Sequence, residues 1–104
     1  MARKILRSPE AIEDLEALTA YIASANVRAA VATGRAILRK TRGIPQNPHV
    51  GRIVPERNDQ EIREIFCGNY CIIHRLSGNA DRIEIMRIWH GARGELRITE
   101  SASS

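Results

Sequence analysis

The run from Glu61 to Arg93, EIREIFCGNYCIIHRLSGNADRIEIMRIWHGAR, constrains this chain more than any other part of it. Three stretches rich in β-branched and apolar residues, Glu61 to Phe66, Tyr70 to Leu76 and Arg82 to His90, are separated by the turn signals Gly68-Asn69 and Ser77-Gly78-Asn79. Turns this short join antiparallel neighbours, so the carboxyl-terminal half predicts a meander of strands. The last strand ends on Trp89-His90-Gly91-Ala92-Arg93, which sets a titratable ring and a guanidinium together at a sheet rim.

A meander needs something to cover it, and the first half of the chain supplies helices. Lys4 to Leu6 forms a short first strand, and Ser8-Pro9-Glu10 is a helix start: a hydroxyl cap, proline at the first helical position and an acid in the first turn. The helix is expected from Pro9 to Ser24, with Ile12, Leu15, Leu18 and Ile22 as a stripe facing the core and Glu10, Glu13, Asp14 and Glu16 making the outer surface acidic. Asn26 caps a second helix that ends at Gly43. Its inward positions are expected to be Val27, Ala30, Val31, Gly34, Ile37 and Leu38, with Arg28, Arg35, Arg39 and Lys40 outside. A connection this short makes the two helices antiparallel, and Ala30 and Gly34 let them approach closely. Ile44 to Glu56, with three prolines and a glycine, is a loop that straightens into a short strand near Arg52 to Val54.

The order β-α-α-β-β-β, with three or four antiparallel strands after the helices, predicts an α+β fold: a helical hairpin on one face of a small, mainly antiparallel sheet. At 104 residues, with 43% hydrophobic and 27% charged content, this is one domain with a single core, about residues 4–93. Residues 97–104 are polar and small, and a frayed tail is expected there. Neither a leader segment nor a run of about 18 apolar residues is evident, so the cytoplasm is the expected compartment. Cys67 and Cys71 flank a turn in which Cys67 would oppose Tyr70 and Phe66 would oppose Cys71, so no disulfide is expected. Cys67, Cys71 and His74 make a C-x3-C-x2-H string, but alternation splits Cys71 from His74, and no metal or other cofactor is expected.

Sixteen basic residues against twelve acidic ones give a net charge of +4. Fourteen of the sixteen cations are arginine, whose planar fork suits carboxylate or phosphate, so an acidic protein segment and a nucleic-acid backbone are both admissible partners. Arg63, Arg75 and Arg87 are expected on the sheet face without helices, where they would line a shallow basic concavity, although alternation alone does not fix which way each points. His90 and Arg93 also admit a plainer role, capping the sheet rim and pairing with an acid such as Glu95.

SPEAIEDLEALTAYIA, GRIVPE, IREIF, NYCIIHRL and IEIMRIWHGAR, in that order, resemble the RelE/ParE toxin family of bacterial type II toxin–antitoxin (plasmid-stabilisation type) modules, nearer the ParE branch. The resemblance spans about residues 5–93. It implies a toxin neutralised by a cognate antitoxin, a small protein with a DNA-binding amino-terminal part and a wrapping carboxyl-terminal segment, together forming a hetero-oligomer. ParE-like members act on DNA gyrase by binding; RelE-like members cut messenger RNA on the ribosome. RNA cleavage needs groups that take and give protons and neutralise a phosphate. RelE-like nucleases resemble one another in carrying lysines and arginines on central strands and a tyrosine or histidine near the carboxyl terminus. Here the lysines are Lys4 and Lys40, the tyrosines are Tyr21 and Tyr70, and nothing after Arg93 offers a phenol, imidazole or amine.

The resemblance thus implies a gyrase inhibitor without catalytic residues. If the chain were a nuclease, Glu56, Arg63 and His90 would be base, phosphate clamp and acid. The residues expected to bind target or antitoxin are Arg28, Arg35, Arg39, Arg52, Arg63, Arg75, Arg87, His90 and Arg93. One departure bears on that set: where ParE-like chains resemble Tyr-Arg-Ile-x-Tyr-Arg, this chain reads Tyr70-Cys71-Ile72-Ile73-His74-Arg75. A non-toxic basic module for RNA or DNA is a third reading, with aromatic content of only 4% as a platform for stacked bases.

Overall fold

The computed structural model describes residues 4–47, 49–54, 61–77 and 82–91. The chain runs β1 (Lys4–Arg7), α1 (Pro9–Ala23), α2 (Val27–Gly43), a 3-10 turn (Ile44–Gln46), β2 (Arg52–Ile53), β3 (Ile62–Cys67), β4 (Tyr70–Ser77) and β5 (Arg82–His90). One five-stranded sheet holds the strands in the order β1-β5-β4-β3-β2. β1 runs parallel to β5 and every other pair is antiparallel, so the sheet is mixed. The helical hairpin lies over one face, and the α+β expectation holds.

Local chemistry sets the helix ends. Ser8 Oγ accepts from Ala11 N at 3.0 Å, and Asn26 Oδ1 accepts from Ala29 N at 3.0 Å, each satisfying an amide that the first helical turn leaves unpaired. α2 ends at Gly43 with right-handed geometry and leads directly into the 3-10 turn containing Pro45. A left-handed glycine cap plays no part there. The β3–β4 turn does use one, Gly68 with φ of 58°.

The buried stripes differ from the expected ones. On α1 it is Ala11, and not Ile12, that joins Leu15 and Leu18 in the core; Ile12 is 45% exposed. On α2, Val27 and Val31 are also exposed, while Ala30, Ile37 and Thr41 are buried. Helix pairs in a bundle bury both flanks, but a hairpin on a sheet buries only the stripe toward the sheet.

Under the helices the main core joins Ala11, Ile37 and Ile44 to Ile65, Ile72, Leu76, Ile83, Ile85 and Ile88. On the opposite face a smaller cluster unites Val54, Ile62, Cys71 and Ile73 with the partly buried Met86 and Trp89. Among the described residues no helix lies on that second face. His74, opposite Arg63, falls by alternation on the helical side and has no exposed surface. Cys71 and His74 therefore sit on different faces, as alternation predicted.

The alternation of β5 breaks once. Ile73 of β4 faces Arg87, while the next residue, His74, faces Ile85, so Met86 is an extra residue in a bulge. The bulge changes which face every later residue takes: Ile88 enters the main core and Arg87 is moved out of it. Without it, Arg87 would oppose Ile72, whose side chain has no exposed surface.

The bulge also lies where β1 ends, and α1 takes over as the edge partner of β5. Ser8 N donates to Ile85 O at 3.0 Å, and Ser8 Oγ donates to Met86 O at 2.8 Å. Two turns on, Asp14 Oδ2 accepts from Ile88 N at 2.9 Å. At the other edge, Gly51 has φ of 93°, and a Cβ there would collide with the Glu64 carbonyl, so only glycine lets the loop approach β3 this closely.

Candidate functional site

The residues expected to bind a partner separate into three places. On α2, Arg28, Arg35 and Arg39 are exposed and, with Arg42, follow one another at steps of seven, four and three, which sets them in one row along the helix. Beside this row runs an apolar groove between the helices, lined by Leu15, Ala20, Ala23, Val27, Val31 and Gly34 among others. The row of α1 that borders the groove carries Glu13 and Glu16.

The second place is the β2–β3 edge. Arg52 Nε donates to Glu64 Oε1; the arginine side chain is 64% exposed and the carboxylate 5%. Cys71 Sγ donates to the second oxygen of Glu64 at 3.4 Å, so both carboxylate oxygens are bound. Burial, reinforced by the charge of Glu64 and its hydrogen bond, pushes the Cys71 thiol up to about 12. A neutral, buried thiol of this kind is a poor nucleophile and metal ligand. Arg63, across β3, points the other way: it opposes His74, and its guanidinium donates to His49 O at 3.0 Å and Gly51 O at 3.4 Å. It therefore fastens the loop before β2. The expected concavity of Arg63, Arg75 and Arg87 on the open face does not form, because β3 presents Ile62 and Glu64 there and turns Arg63 to the helical side.

The third place is the end of β5. Arg87 makes a two-pronged contact with Asp14, Nε to Oδ2 at 2.8 Å and Nη2 to Oδ1 at 3.0 Å, and its Cζ lies 5.0 Å from the Trp89 ring centre. The hydrogen bond to Asp14 raises the Arg87 pKa further, against the cost of burial. Trp89 is half-buried and packs against the second cluster. His90 is exposed and sets its ring edge-on to Tyr70, with centroids 5.3 Å apart. Arg75 is exposed on β4 opposite Ile62.

Of the three residues considered for RNA cleavage, Glu56 lies outside the described residues, as do Arg93, Glu95 and 97–104. Arg63 and His90 are four β4 residues apart, at the registers of His74 and Tyr70, or about 13 Å along the sheet. Both cysteines are free thiols. Among the described residues no group of three His, Cys, Asp or Glu side chains could hold a metal, and no helix is long and apolar enough to cross a membrane.

Sequence reasoning missed three structural anchors, Asp14, Glu64 and Cys71. One signal was there: the apolar spacing Ile83, Ile85, Ile88 breaks from two to three and marks the bulge at Met86. Nothing local linked Asp14 to Arg87, which are 73 positions apart.

Comparison with known proteins agrees with this architecture. A solved structure described as the chromosomal ParDE TA system from P. aeruginosa superposes with a TM-score of 0.69 at 18% identity, covering 86% of this chain and 96% of the other. The toxin-antitoxin complex RelBE2 from Mycobacterium tuberculosis gives a TM-score of 0.54, also at 18% identity, covering 86% and 99%. At that identity the likeness carries the fold alone. No curated protein sequence matches. The profile described as "ParE toxin of type II toxin-antitoxin system, parDE" matches residues 5–94, nearly the whole chain and every described strand and helix from Ile5 onward, so this chain belongs to the ParE toxin family.

Proposed function

We propose that this chain inhibits DNA gyrase by binding it, without catalysis of its own, and that a cognate antitoxin neutralises it. The observation that carries the reading is the ParE family match over residues 5–94. The geometry supports binding over RNA cleavage: Arg63 is occupied by loop carbonyls and stands about 13 Å along the sheet from His90. RNA cleavage needs acid, base and clamp each within hydrogen-bond reach of an oxygen on one phosphate or its neighbouring hydroxyl, a smaller span than this.

The antitoxin partner is supported by the two structural neighbours, both described as toxin–antitoxin assemblies. Its wrapping segment, acidic and unfolded when free, would pair with the exposed row Arg28, Arg35 and Arg39. Charge reversal at Arg35 and Arg39 should speed dissociation of that complex; unchanged affinity would move the interface off α2. We propose the rim where β5 ends as the gyrase contact, with the exposed His90 as a reading residue.

The deciding experiment compares two activities of the purified chain. Loss of DNA supercoiling by gyrase, with messenger RNA left intact on translating ribosomes, is the expected pair of results. Cut messenger with unimpaired supercoiling would replace this reading with the ribonuclease.

A further inference from the structure

We infer that the face of the helical hairpin is a self-complementary surface on which a second copy of this chain docks when no antitoxin is bound. The inference is independent of whether gyrase is the target.

The groove between α1 and α2 exposes apolar surface that the fold does not use. Val27 is 66% exposed and Val31 47%, while Ala20, Ala23 and Gly34 leave the floor low. The two walls carry opposite charge. Glu13 and Glu16 stand on the α1 side; Arg35, Arg39 and Arg42 stand on the α2 side. Among the described residues none of these five forms an ion pair.

The register of the hairpin makes this pattern specific. A Cβ on Gly34 would lie 3.5 Å from Thr19 Cγ2, so these two residues are level across the groove. In antiparallel helices, three residues back from Thr19 is level with three residues on from Gly34. Glu16 is therefore level with Ile37, between Arg35 and Arg39, and Glu13 is level with Lys40, between Arg39 and Arg42. A two-fold axis laid along the groove swaps the walls without sliding them lengthwise. It brings the acids of each α1 over the arginines of the partner's α2, twice, and closes the valines of both copies against each other.

A single acidic segment in the groove would satisfy the arginines but face Glu13 and Glu16 with like charge. A second copy satisfies both rows, and this selects it as the occupant. The α1 face is about 23 Å long and the hairpin about 20 Å wide, less than a standard stable interface, so association is reversible. Because it covers the arginines offered to an antitoxin, self-association and neutralisation compete.

Sedimentation of the purified full chain, from micromolar to submillimolar concentration, tests this directly. The expected mass rises from 11.6 kDa to twice that value and falls back in high salt. Two charge variants then probe the register, with circular dichroism confirming that each is folded. Glu13→Lys with Glu16→Lys makes both walls basic, and Arg35→Glu with Arg39→Glu makes both acidic. Each variant alone should stay monomeric, while an equal mixture should form the heterodimer, because each basic wall then meets an acidic one. A wild-type chain that is monomeric throughout, a dimer that survives in either variant, or a mixture that does not associate overturns the inference. If the chain is monomeric and Val31→Glu weakens capture of an antitoxin peptide, the groove belongs to the antitoxin.

Discussion

Under the helices, Ile72, Ile83 and Ile85 have no exposed surface and touch aliphatic neighbours, whereas on the opposite face Ile62 and Ile73 are buried beside a carboxylate, a thiol and a guanidinium. The helical hairpin removes water from the first face, which is mainly aliphatic, with the imidazole of His74 a polar group buried on that side. The second face has no described helix, so polar groups can remain there provided that each finds a partner. Glu64 shows the condition: it is buried, and both of its oxygens are bound. The main core therefore answers chiefly to volume, and the second cluster to polar pairing.

Thiol chemistry offers the largest contrast between the faces. With its pKa pushed from about 9 to about 12, Cys71 holds roughly a thousandfold less thiolate near neutral pH than an ordinary cysteine. Alkylation followed by mass spectrometry should find Cys71 unmodified in the folded chain and modified in urea; rapid labelling of the native protein would deny its burial. Because the folded pKa lies above the unfolded one, the associated stability is fully present below about pH 9 and is lost as pH rises through 12.

Volume loss in the main core comes next. Ile85→Ala should cost about 2–5 kcal/mol in urea unfolding, a large share of the stability of a domain this size. A cost under about 1 kcal/mol would mean that the helices do not close over β5 as described.

Asp14 tests the joint between the two layers. Asp14→Ala removes both prongs from Arg87 and the acceptor of Ile88 N, and should cost about 1–3 kcal/mol. Faster amide exchange at Ile88 than at Ile83 in the variant would mark the loss as local to the edge that Asp14 covers.

The smallest effect sharpens the polar face. Glu64→Leu should be nearly neutral, within about 1 kcal/mol, because an aliphatic side chain suits the neighbourhood of Ile62 and Ile73 and leaves Arg52 exposed to water. Arg52→Ala should cost more, since it leaves a buried carboxylate with only the thiol. If the order were reversed, the ion pair would be a net source of stability and the view of this face as a volume-tolerant, pairing-dependent cluster would fail.

Much of the fold is legible in the sequence. Ser8 and Asn26 cap the helices they were expected to cap, the strand Arg82–His90 has the expected ends, and Cys67 opposes Tyr70 as the turn required. The family was legible too, from five segments in order. The arginine surface was less so: Arg28, Arg35 and Arg39 lie outward as expected, but Arg63 and Arg87 are drawn into the structure by His49, Gly51 and Asp14.

That division has a physical cause. Caps and tight turns are satisfied within three or four residues, so the sequence by itself determined where helices and strands begin and the order in which they follow. Which face a strand residue occupies depends on parity, and one bulged residue at Met86 reverses it for Arg87, Ile88 and all that follow. The bulge is held by hydrogen bonds from residues more than 70 positions away, Ser8 and Asp14. Only the tertiary structure brings those groups together, and so it alone decided which arginines hold the fold and which stay exposed on the surface.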